Sequence, residues 1–390
     1  MTGARLLALR TRLALETPAA ASQLLRPPPS PPPPPPLPPP ASQPHPLTDS
    51  FGRRHTYLRV SLTERCNLRC TYCMPAAGAP LTPPPALLTA DETVALAAHM
   101  VRLGVRKLRL TGGEPTVRPD LVPLVARLSA LRREGLATLA MTSNGVALPP
   151  RRLAELWGAG LDALNLSLDT LRPAVFEAVT RRPAAQWGAV WAAVEGALAQ
   201  GWGRVPGRPL KVNAVVQRGV NEGEAAALAE ALTRRAPIQL RFIEFMPFGG
   251  NGWGGGERVV PSAELRGALA RALPGWARCE GGAAEGGGSV GGELFRGGPG
   301  WEGAVGFIST VSDALCGGCS RLRLTADGAL RACLHGEGEV SLRDALRGGG
   351  GGEAVTRAVA RAVWGKREAL GGRALGERGG GERGMVRIGG

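Results

Sequence analysis

The chain has 390 residues and a formal net charge of +15, because 47 Lys and Arg residues outnumber 32 Asp and Glu residues. This length suits one large α/β domain with an appended region, and the positive charge favours an anionic partner such as a nucleotide phosphate, a nucleic acid or an anionic membrane surface. Seven cysteines, six of them in two closely spaced groups, favour metal binding in a reducing compartment and argue against a disulfide framework.

The first 26 residues have the pattern of an organelle transit peptide. Four arginines stand against a single acidic residue, and leucines recur at helical spacing. Residues 27–40 are nearly all proline and predict a polyproline II spacer, so we expect a linker over residues 27–50 that lies outside the fold. The alternative is an extension without a targeting role. No stretch of the sequence is long and apolar enough to predict a membrane span.

Residues 57–246 alternate strand and helix patterns. The predicted strands are 57–62, 105–111, 137–142, 162–168, 209–216 and 239–246, and the predicted helices are 89–103, 119–134, 150–158, 172–200 and 222–235. Six such units are fewer than the eight that close a barrel. The sequence therefore predicts an α/β fold, an incomplete (β/α)6 TIM-like barrel over residues 51–250, with a C-terminal region over 251–390.

One face of several predicted strands is polar. Because side chains alternate with period two and helices must cover the outer face, these polar side chains should point into the lumen. They are Arg59, Ser61, Lys107, Arg109, Thr111, Asn165, Ser167, Asp169, Lys211 and Asn213. A lumen lined by cations is unfavourable unless water or an anion occupies it. The alternative, a solvent-exposed face of an antiparallel sheet, is disfavoured by the helices between the strands.

A group of three cysteines, Cys66, Cys70 and Cys73, follows the first predicted strand. Three thiolates do not complete a tetrahedral zinc site or a four-thiolate cluster, but they can hold three irons of a [4Fe–4S] cluster and leave the fourth iron open. A zinc ion with a distant fourth ligand is the alternative. After the second strand, Gly112 and Gly113 would let the backbone approach a ligand closely, and Glu114 could contact an ammonium group or a ribose hydroxyl.

The second group is Cys316, Cys319 and Cys333, which again offers three thiolates. His335 could complete a zinc site, so zinc is an alternative here too. Between these cysteines, Arg321 and Arg323 place two guanidinium groups on one strand face, where they suit phosphate oxygens or purine edges. The remaining Cys279 is predicted to be an ordinary thiol.

The three-cysteine loop and the Gly-Gly-Glu-Pro turn resemble those of the radical S-adenosylmethionine enzymes, whose fold is a partial (β/α)6 barrel. From about residue 51 to residue 390 the chain is similar to one family among them, the GTP 3′,8-cyclases of molybdenum cofactor biosynthesis, and to the organellar forms of eukaryotes. The similarity extends to the motifs at residues 106–116, 141–145, 165–169, 211–213 and 241–247. Glycine-rich stretches within 254–303, 348–352 and 371–384 depart from it.

The resemblance implies two [4Fe–4S] clusters and S-adenosylmethionine as cofactors. The implied cluster ligands are Cys66, Cys70 and Cys73, and then Cys316, Cys319 and Cys333, with the second open iron against the purine. The implied contacts of S-adenosylmethionine are Tyr72, Gly113, Ser167 and Met246. The implied contacts of GTP are Arg59, Lys107, Arg109, Thr142, Lys211, Arg241, Arg321, Leu322 and Arg323. The terminal Gly389 and Gly390 are implied to reach into the active site as catalytic residues.

The implied activity is that of a lyase. A 5′-deoxyadenosyl radical would remove the 3′ hydrogen of GTP, and the 3′ carbon would attack C8 to give (8S)-3′,8-cyclo-7,8-dihydroguanosine 5′-triphosphate. The implied partners are an electron donor and the downstream cyclic pyranopterin monophosphate synthase. A homodimer is compatible with the resemblance, and no nucleic-acid or membrane partner is expected.

The transit pattern predicts the mitochondrial matrix, with a plastid as the alternative. Two other functions fit parts of the sequence. A different radical S-adenosylmethionine enzyme with an auxiliary cluster, such as a peptide maturase, would share the first cysteine loop. A zinc protein that binds nucleic acid would share the charge and the grouped cysteines, but it has no use for the Gly-Gly-Glu-Pro turn at a strand end.

Overall fold

The computed structural model of the protein describes residues 45–246, 256–279, 293–313, 316–336, 338–369 and 385–387. The predicted transit segment and the proline run lie outside these ranges, as do Gly389 and Gly390. Leu47 and Asp49 belong to the segment predicted as a linker, yet both are buried. The folded part of the chain therefore begins before residue 51.

In the described residues, twelve strands form one open sheet. They are β1 Tyr57–Ser61, β2 Lys107–Thr111, β3 Thr138–Ser143, β4 Ala163–Ser167, β5 Leu210–Val216, β6 Ile238–Glu244, β7 Ala277–Arg278, β8 Phe295–Arg296, β9 Ala304–Ile308, β10 Arg321–Leu324, β11 Ala329–Arg331 and β12 Glu339–Ser341. Their order in the sheet is β12-β11-β10-β1-β2-β3-β4-β5-β6-β9-β8-β7. The sheet is an incomplete barrel, as predicted.

The centre of this sheet is parallel. Strands β1 to β6 pair in sequence order, which confirms the six predicted strands within about two residues at each end. The C-terminal region then adds one parallel strand to each side, because β9 pairs with β6 and β10 pairs with β1. The short strands β7, β8, β11 and β12 are antiparallel and form the two edges. The C-terminal region is thus built into the same sheet.

Helices connect the parallel strands. They are α1 Ala90–Arg102, α2 Leu121–Ser129, α3 Pro150–Gly158, α4 Pro173–Thr180, α5 Ala185–Gln200, α6 Ala225–Thr233, α7 Ser262–Ala272, α8 Leu342–Arg347 and α9 Gly351–Trp364. The pattern predicted over 172–200 is broken at Arg181, whose φ of +52° ends α4 in the left-handed region. Among the described helices, none is both long and apolar enough to span a membrane.

The two faces of the sheet differ in polarity. In β1, Leu58 and Val60 are fully buried in the hydrophobic core, whereas Tyr57 and Arg59 line a cavity on the other face. The same alternation holds in β10, where Leu322 lies in the core between Arg321 and Arg323. This period-two pattern places the polar face on the inside, as the sequence predicts.

Candidate active site

A cavity of about 310 Å³ is lined by residues from all eight parallel strands. It brings together most of the residues predicted from the sequence: Arg59, Cys66, Cys70, Tyr72, Cys73, Lys107, Arg109, Gly113, Thr142, Ser167, Lys211, Arg241, Met246, Arg321 and Arg323. Leu322 is the exception among the predicted GTP contacts, since its side chain is buried in the core on the opposite face. Side chains that are far apart in sequence therefore converge on the inner face of the sheet.

The first cysteine loop is fixed by two arginines that follow α4. Arg181 donates from Nη1 to the carbonyl oxygens of Arg69 and Met74, at 3.1 and 3.0 Å. Arg182 donates from Nε to the carbonyl oxygen of Asn67 at 2.8 Å. Arg181 thus contacts the middle of the loop and the residue that follows Cys73. The loop is thereby held as one preorganised unit.

The three thiols of this loop all line the cavity and are partly buried. Burial, followed by the charges of Cys73, Asp169 and Cys66, raises the pKa of Cys70 well above its ordinary value. Burial also raises the pKa of Cys73 to about 12. Three thiols that influence one another in this way form one donor set, and binding iron as thiolates would release their protons.

The Gly-Gly-Glu-Pro turn packs against the cysteine loop. A Cβ on Gly113 would lie 2.2 Å from the carbonyl oxygen of Arg65, and Gly112 has a φ of +144°. Only glycine fits where these two backbones approach so closely. The glycines were expected to let the backbone approach a ligand. The structure shows that they also let it approach the cysteine loop.

Glu114 has a structural role in addition to lining the cavity. Its carboxylate accepts hydrogen bonds from Thr116 N, Thr116 Oγ1, Ser143 Oγ and Asn144 N, at 2.7 to 3.0 Å. Burial raises its pKa. These four bonds tie the end of β2 to the end of β3, and the carboxylate also lines the cavity.

Among the described residues, seven cations line the cavity. They are Arg59, Lys107, Arg109, Lys211, Arg241, Arg321 and Arg323. Burial and the neighbouring arginines lower the pKa of Arg241 to about 9 and that of Arg59 to about 10, so both remain charged at neutral pH. Taking so many charges out of water is unfavourable without a counter-charge.

Among the described residues, three carboxylates lie on the cavity wall, and each accepts hydrogen bonds from neighbouring protein groups. Asp169 accepts from Tyr72 Oη and Val215 N, each at 2.8 Å, and Glu244 accepts from Ser262 N and Val311 N at 2.7 and 2.8 Å. Glu114 is held as described above. The cavity therefore has a positive surplus that an anionic ligand would neutralise.

Some buried polar atoms of the cavity wall have no hydrogen-bond partner within the described residues. Within the described part of the chain, Asn165 Oδ1, Asn213 Oδ1 and Arg241 Nε are buried and have no hydrogen-bond partner. Buried polar atoms are nearly always satisfied by protein, water or a ligand. Their positions between the cations fit a ligand that carries hydrogen-bonding groups as well as negative charge.

The second cysteine group lies beside this cavity. Cys316, Cys319 and Cys333 are not among its lining residues, but Arg321 and Arg323 between them are. Burial would raise the pKa of Cys319, but the Lys366 amine, whose Nζ is 3.2 Å from Sγ, and the backbone N–H and charge of Arg321 together outweigh burial, so the pKa is lowered. This group therefore has a positive neighbour that favours a thiolate.

Comparison with known proteins gives the family of this chain. Residues 60–232 match the model of the Radical SAM superfamily, and residues 238–371 match Molybdenum Cofactor Synthesis C. The chain is 46% identical over 323 residues to "GTP 3′,8-cyclase, mitochondrial" of Arabidopsis thaliana, covering 83% of this chain and 78% of that protein. It is 43% identical over 317 residues to the GTP 3′,8-cyclase of Heliobacterium modesticaldum, covering 81% and 92%. The chain belongs to the GTP 3′,8-cyclase family.

The family also includes longer proteins. "Molybdenum cofactor biosynthesis protein 1" of Mus musculus is 47% identical over 317 residues, which are 81% of this chain but 47% of that protein. The chain thus spans about half the length of such relatives. The boundary between the two matched ranges lies between α6 and β6. Strands from both ranges form the cavity wall.

The C-terminal segment of this family member also reaches the cavity. Met385 lines it and packs against Cys73, Met246 and Leu334. Arg387 donates from Nε to Glu64 at 3.2 Å and from Nη2 to Thr82 Oγ1 at 3.0 Å. Gly389 and Gly390 lie outside the described residues.

Two residues of this cyclase-family site were missed by the sequence reasoning. Tyr57 accepts a hydrogen bond from Arg109 Nε at 2.7 Å, and the period-two alternation from Arg59 could have found it. Lys366 gave no signal, because an isolated lysine 33 positions after Cys333 has no local pattern. Its position depends on how α9 packs.

Proposed function

We propose that this protein catalyses the radical S-adenosylmethionine-dependent cyclisation of GTP to (8S)-3′,8-cyclo-7,8-dihydroguanosine 5′-triphosphate, the first step of molybdenum cofactor biosynthesis. The observation that carries the proposal is the cavity lined by seven cations, with one group of three cysteines on its wall and a second beside it. The family relationship supports the same function.

The residues of the first site fit a cluster and its cofactor. Cys66, Cys70 and Cys73 would hold three irons, and Tyr72, Gly113, Ser167 and Met246 would contact S-adenosylmethionine. Among the described residues, no three His, Cys, Asp or Glu side chains converge as ligands of a single ion do. In a cubane cluster each thiolate binds a different iron, so such convergence is not needed. When bound, the cluster and S-adenosylmethionine would supply a 5′-deoxyadenosyl radical.

The cations would bind the triphosphate and the base. Arg109 is oriented by Tyr57 Oη and by Thr142 Oγ1, at 2.7 and 3.2 Å, which presents its guanidinium group from a fixed position. Arginine suits phosphate because its donors form a planar fork. Holding GTP at several points fixes its 3′ carbon and C8 for reaction, which lowers the entropic part of the barrier.

A second [4Fe–4S] cluster would be held by Cys316, Cys319 and Cys333. Two arginines of β10, Arg321 and Arg323, lie between these cysteines in sequence and face the cavity. The arrangement supports a cluster that touches the substrate from the β10 side. His335 remains the residue that would complete a zinc site in the competing assignment.

The remaining assignments are also proposals. Gly389 and Gly390 would enter the site, which the position of Met385 on the cavity wall supports. The protein would work in the mitochondrial matrix with an electron donor, as a homodimer, and would pass its product to the cyclic pyranopterin monophosphate synthase. The Arg-rich N-terminal sequence supports that location.

Anaerobic reconstitution tests the proposal. Protein loaded with iron and sulfide, given S-adenosylmethionine, GTP and a reductant, should form 5′-deoxyadenosine and the cyclised nucleotide, identified by mass spectrometry. Cleavage of S-adenosylmethionine with GTP left intact under every condition would favour a peptide maturase. Zinc without iron or sulfide in the purified protein would reject radical chemistry altogether.

A further inference from the structure

Lys366 places a buried amine against the second cysteine group. The residue follows α9 directly and is 5% exposed. Its Nζ lies 3.2 Å from Cys319 Sγ and 3.3 Å from the carbonyl oxygen of Arg321. One cation therefore bridges the cysteine group and β10, the strand that carries two arginines into the cavity.

The surroundings of Lys366 are fixed by Arg53. Its guanidinium group donates to the carbonyl oxygens of Cys316, Arg367 and Glu368, at 2.9, 2.9 and 2.5 Å. The same side chain thus ties the start of the cysteine group to the two residues that follow Lys366. Arg53 therefore fixes both the cysteine group and the backbone next to Lys366, which keeps the amine beside Cys319.

A buried ammonium group needs a negative neighbour. Removing such a charge from water costs several kcal/mol unless an opposite charge compensates it. The nearest group able to carry that negative charge is Cys319, whose Sγ lies 3.2 Å from the amine. When the cysteines of this group hold a cluster, the negative charge of the cluster and its thiolates would compensate the amine.

We propose that Lys366 is a fixed cation that raises the reduction potential of the cluster bound by Cys316, Cys319 and Cys333. This inference rests on the proposed function, because it takes those cysteines as cluster ligands. Reduction adds one negative charge to the cluster, so a nearby cation stabilises the reduced state more than the oxidised state. Hydrogen bonds and charges at the sulfur atoms are the means by which proteins adjust such potentials.

A purely structural role for Lys366 makes a different prediction. The contact with the Arg321 carbonyl could simply anchor β10, and its loss would then lower stability without moving a potential. Lys366→Met removes the charge and keeps most of the aliphatic stem, whereas Lys366→Arg keeps the charge. These two variants separate charge from packing.

The experiment follows the second cluster by itself. The full-length protein with Cys66, Cys70 and Cys73 changed to alanine is reconstituted anaerobically, and its iron and sulfide are measured. An EPR-monitored redox titration then compares Lys366, Lys366→Met and Lys366→Arg in this background. The matched control is Lys366→Met in a protein that keeps only the first cluster, with Cys316, Cys319 and Cys333 changed to alanine.

We expect the Met variant to titrate at a lower potential, the Arg variant to stay near the parent, and the first cluster to be unaffected. An unchanged potential at equal iron content would overturn the role of Lys366 while leaving the proposed function intact. If the Met variant loses the cluster, Lys366→Gln replaces it, and loss of the cluster there too counts against tuning and in favour of assembly. Zinc in place of iron in the parent would overturn both the inference and the second cluster.

Discussion

Tyr57 shows how strongly the charges in the cavity act on a single residue. Burial would raise the pKa of its phenol, but Arg109, Arg59, Arg321 and Lys107 outweigh that effect and lower the pKa to about 7. The phenol oxygen also accepts the Arg109 Nε hydrogen bond. A tyrosine that ionises near neutral pH therefore reports directly on the positive surplus of the site.

Titration of the two tyrosines should reveal this surplus. The chain contains only Tyr57 and Tyr72. Burial and the charge of Asp169 raise the pKa of Tyr72 well above 10, so the two phenols ionise in separate pH ranges. With ¹³Cζ-labelled tyrosine, one NMR resonance should move near pH 7 and vanish in Tyr57→Phe. GTP should raise that midpoint, because its phosphates neutralise the cations. A single transition above pH 9 would contradict the charge arrangement.

Tyr57 Oη and Thr142 Oγ1 fix the orientation of Arg109, so its loss should weaken GTP binding. A hydrogen bond to a charged group contributes roughly 1.5–3 kcal/mol, which corresponds to a roughly tenfold to hundredfold higher Kd for Arg109→Ala. Binding of S-adenosylmethionine, measured by calorimetry on the same sample, should hardly change. Arg133→Ala is the control, since Arg133 is exposed and lies outside the cavity. Equal loss of both ligands would indicate misfolding instead.

At the scale of elements, the pairing of β10 with β1 forms one wall of the cavity. The register aligns Tyr57 with Arg321 and Arg59 with Arg323, so cations from the two ends of the chain stand side by side. The second cysteine group flanks β10 in sequence, so the pairing of β10 with β1 places this group beside the cavity. A strand added more than 250 residues after β1 thus brings the two cysteine groups to one cavity.

The C-terminal segment is held to the first cysteine loop by a contact that can be removed cleanly. Arg387 contacts Glu64, two residues before Cys66, while Thr82 donates to the same carboxylate from its N and Oγ1 at 2.6 and 2.9 Å. Glu64 therefore stays satisfied when Arg387 is changed. The Arg387 side chain is 23% exposed, but that of Glu64 is only 2% exposed, so solvent screens this pair less than it screens a surface pair. A surface pair contributes up to roughly 1 kcal/mol, so Arg387→Met should release the segment at least about fivefold more often.

We expect GTP turnover by Arg387→Met to fall by a similar factor, while cluster content and thermal midpoint stay near wild type. Arg361→Met is the matched control, because Arg361 is exposed on α9. Protease cleavage near the C-terminus should increase in Arg387→Met and remain unchanged in Arg361→Met. Full turnover together with increased cleavage would show that the segment is not needed for the reaction.

At the scale of the whole molecule, the sequence predicted the features that depend on neighbouring residues in the chain. The six central strands and the inward polar face follow from period-two alternation, which a sequence displays directly. The placement of β9 and β10 on the two sides of the sheet could not be predicted in this way, because pairing between strands that are distant in sequence produces no local sequence pattern. For the same reason Lys366 was missed, and the sequence did not predict the hydrogen bonds that Glu114 accepts from Ser143 Oγ and Asn144 N at the end of β3.

The first cysteine group lies on the cavity wall and the second lies beside the cavity, and this separation predicts that the two groups have different roles. Cys70→Ala leaves two thiolates in the first loop, too few to hold a three-cysteine cluster, so reductive cleavage of S-adenosylmethionine should be lost. Cys319→Ala leaves the first loop intact, since that loop is held by Arg181 and Arg182 from α4 and its end. This variant should still form 5′-deoxyadenosine slowly, yet make no cyclised nucleotide. Iron analysis should show loss of one cluster in each variant, and Cys279→Ala should keep both clusters and full activity. If Cys319→Ala also failed to cleave S-adenosylmethionine while keeping its first cluster, the two groups would have to act as one unit.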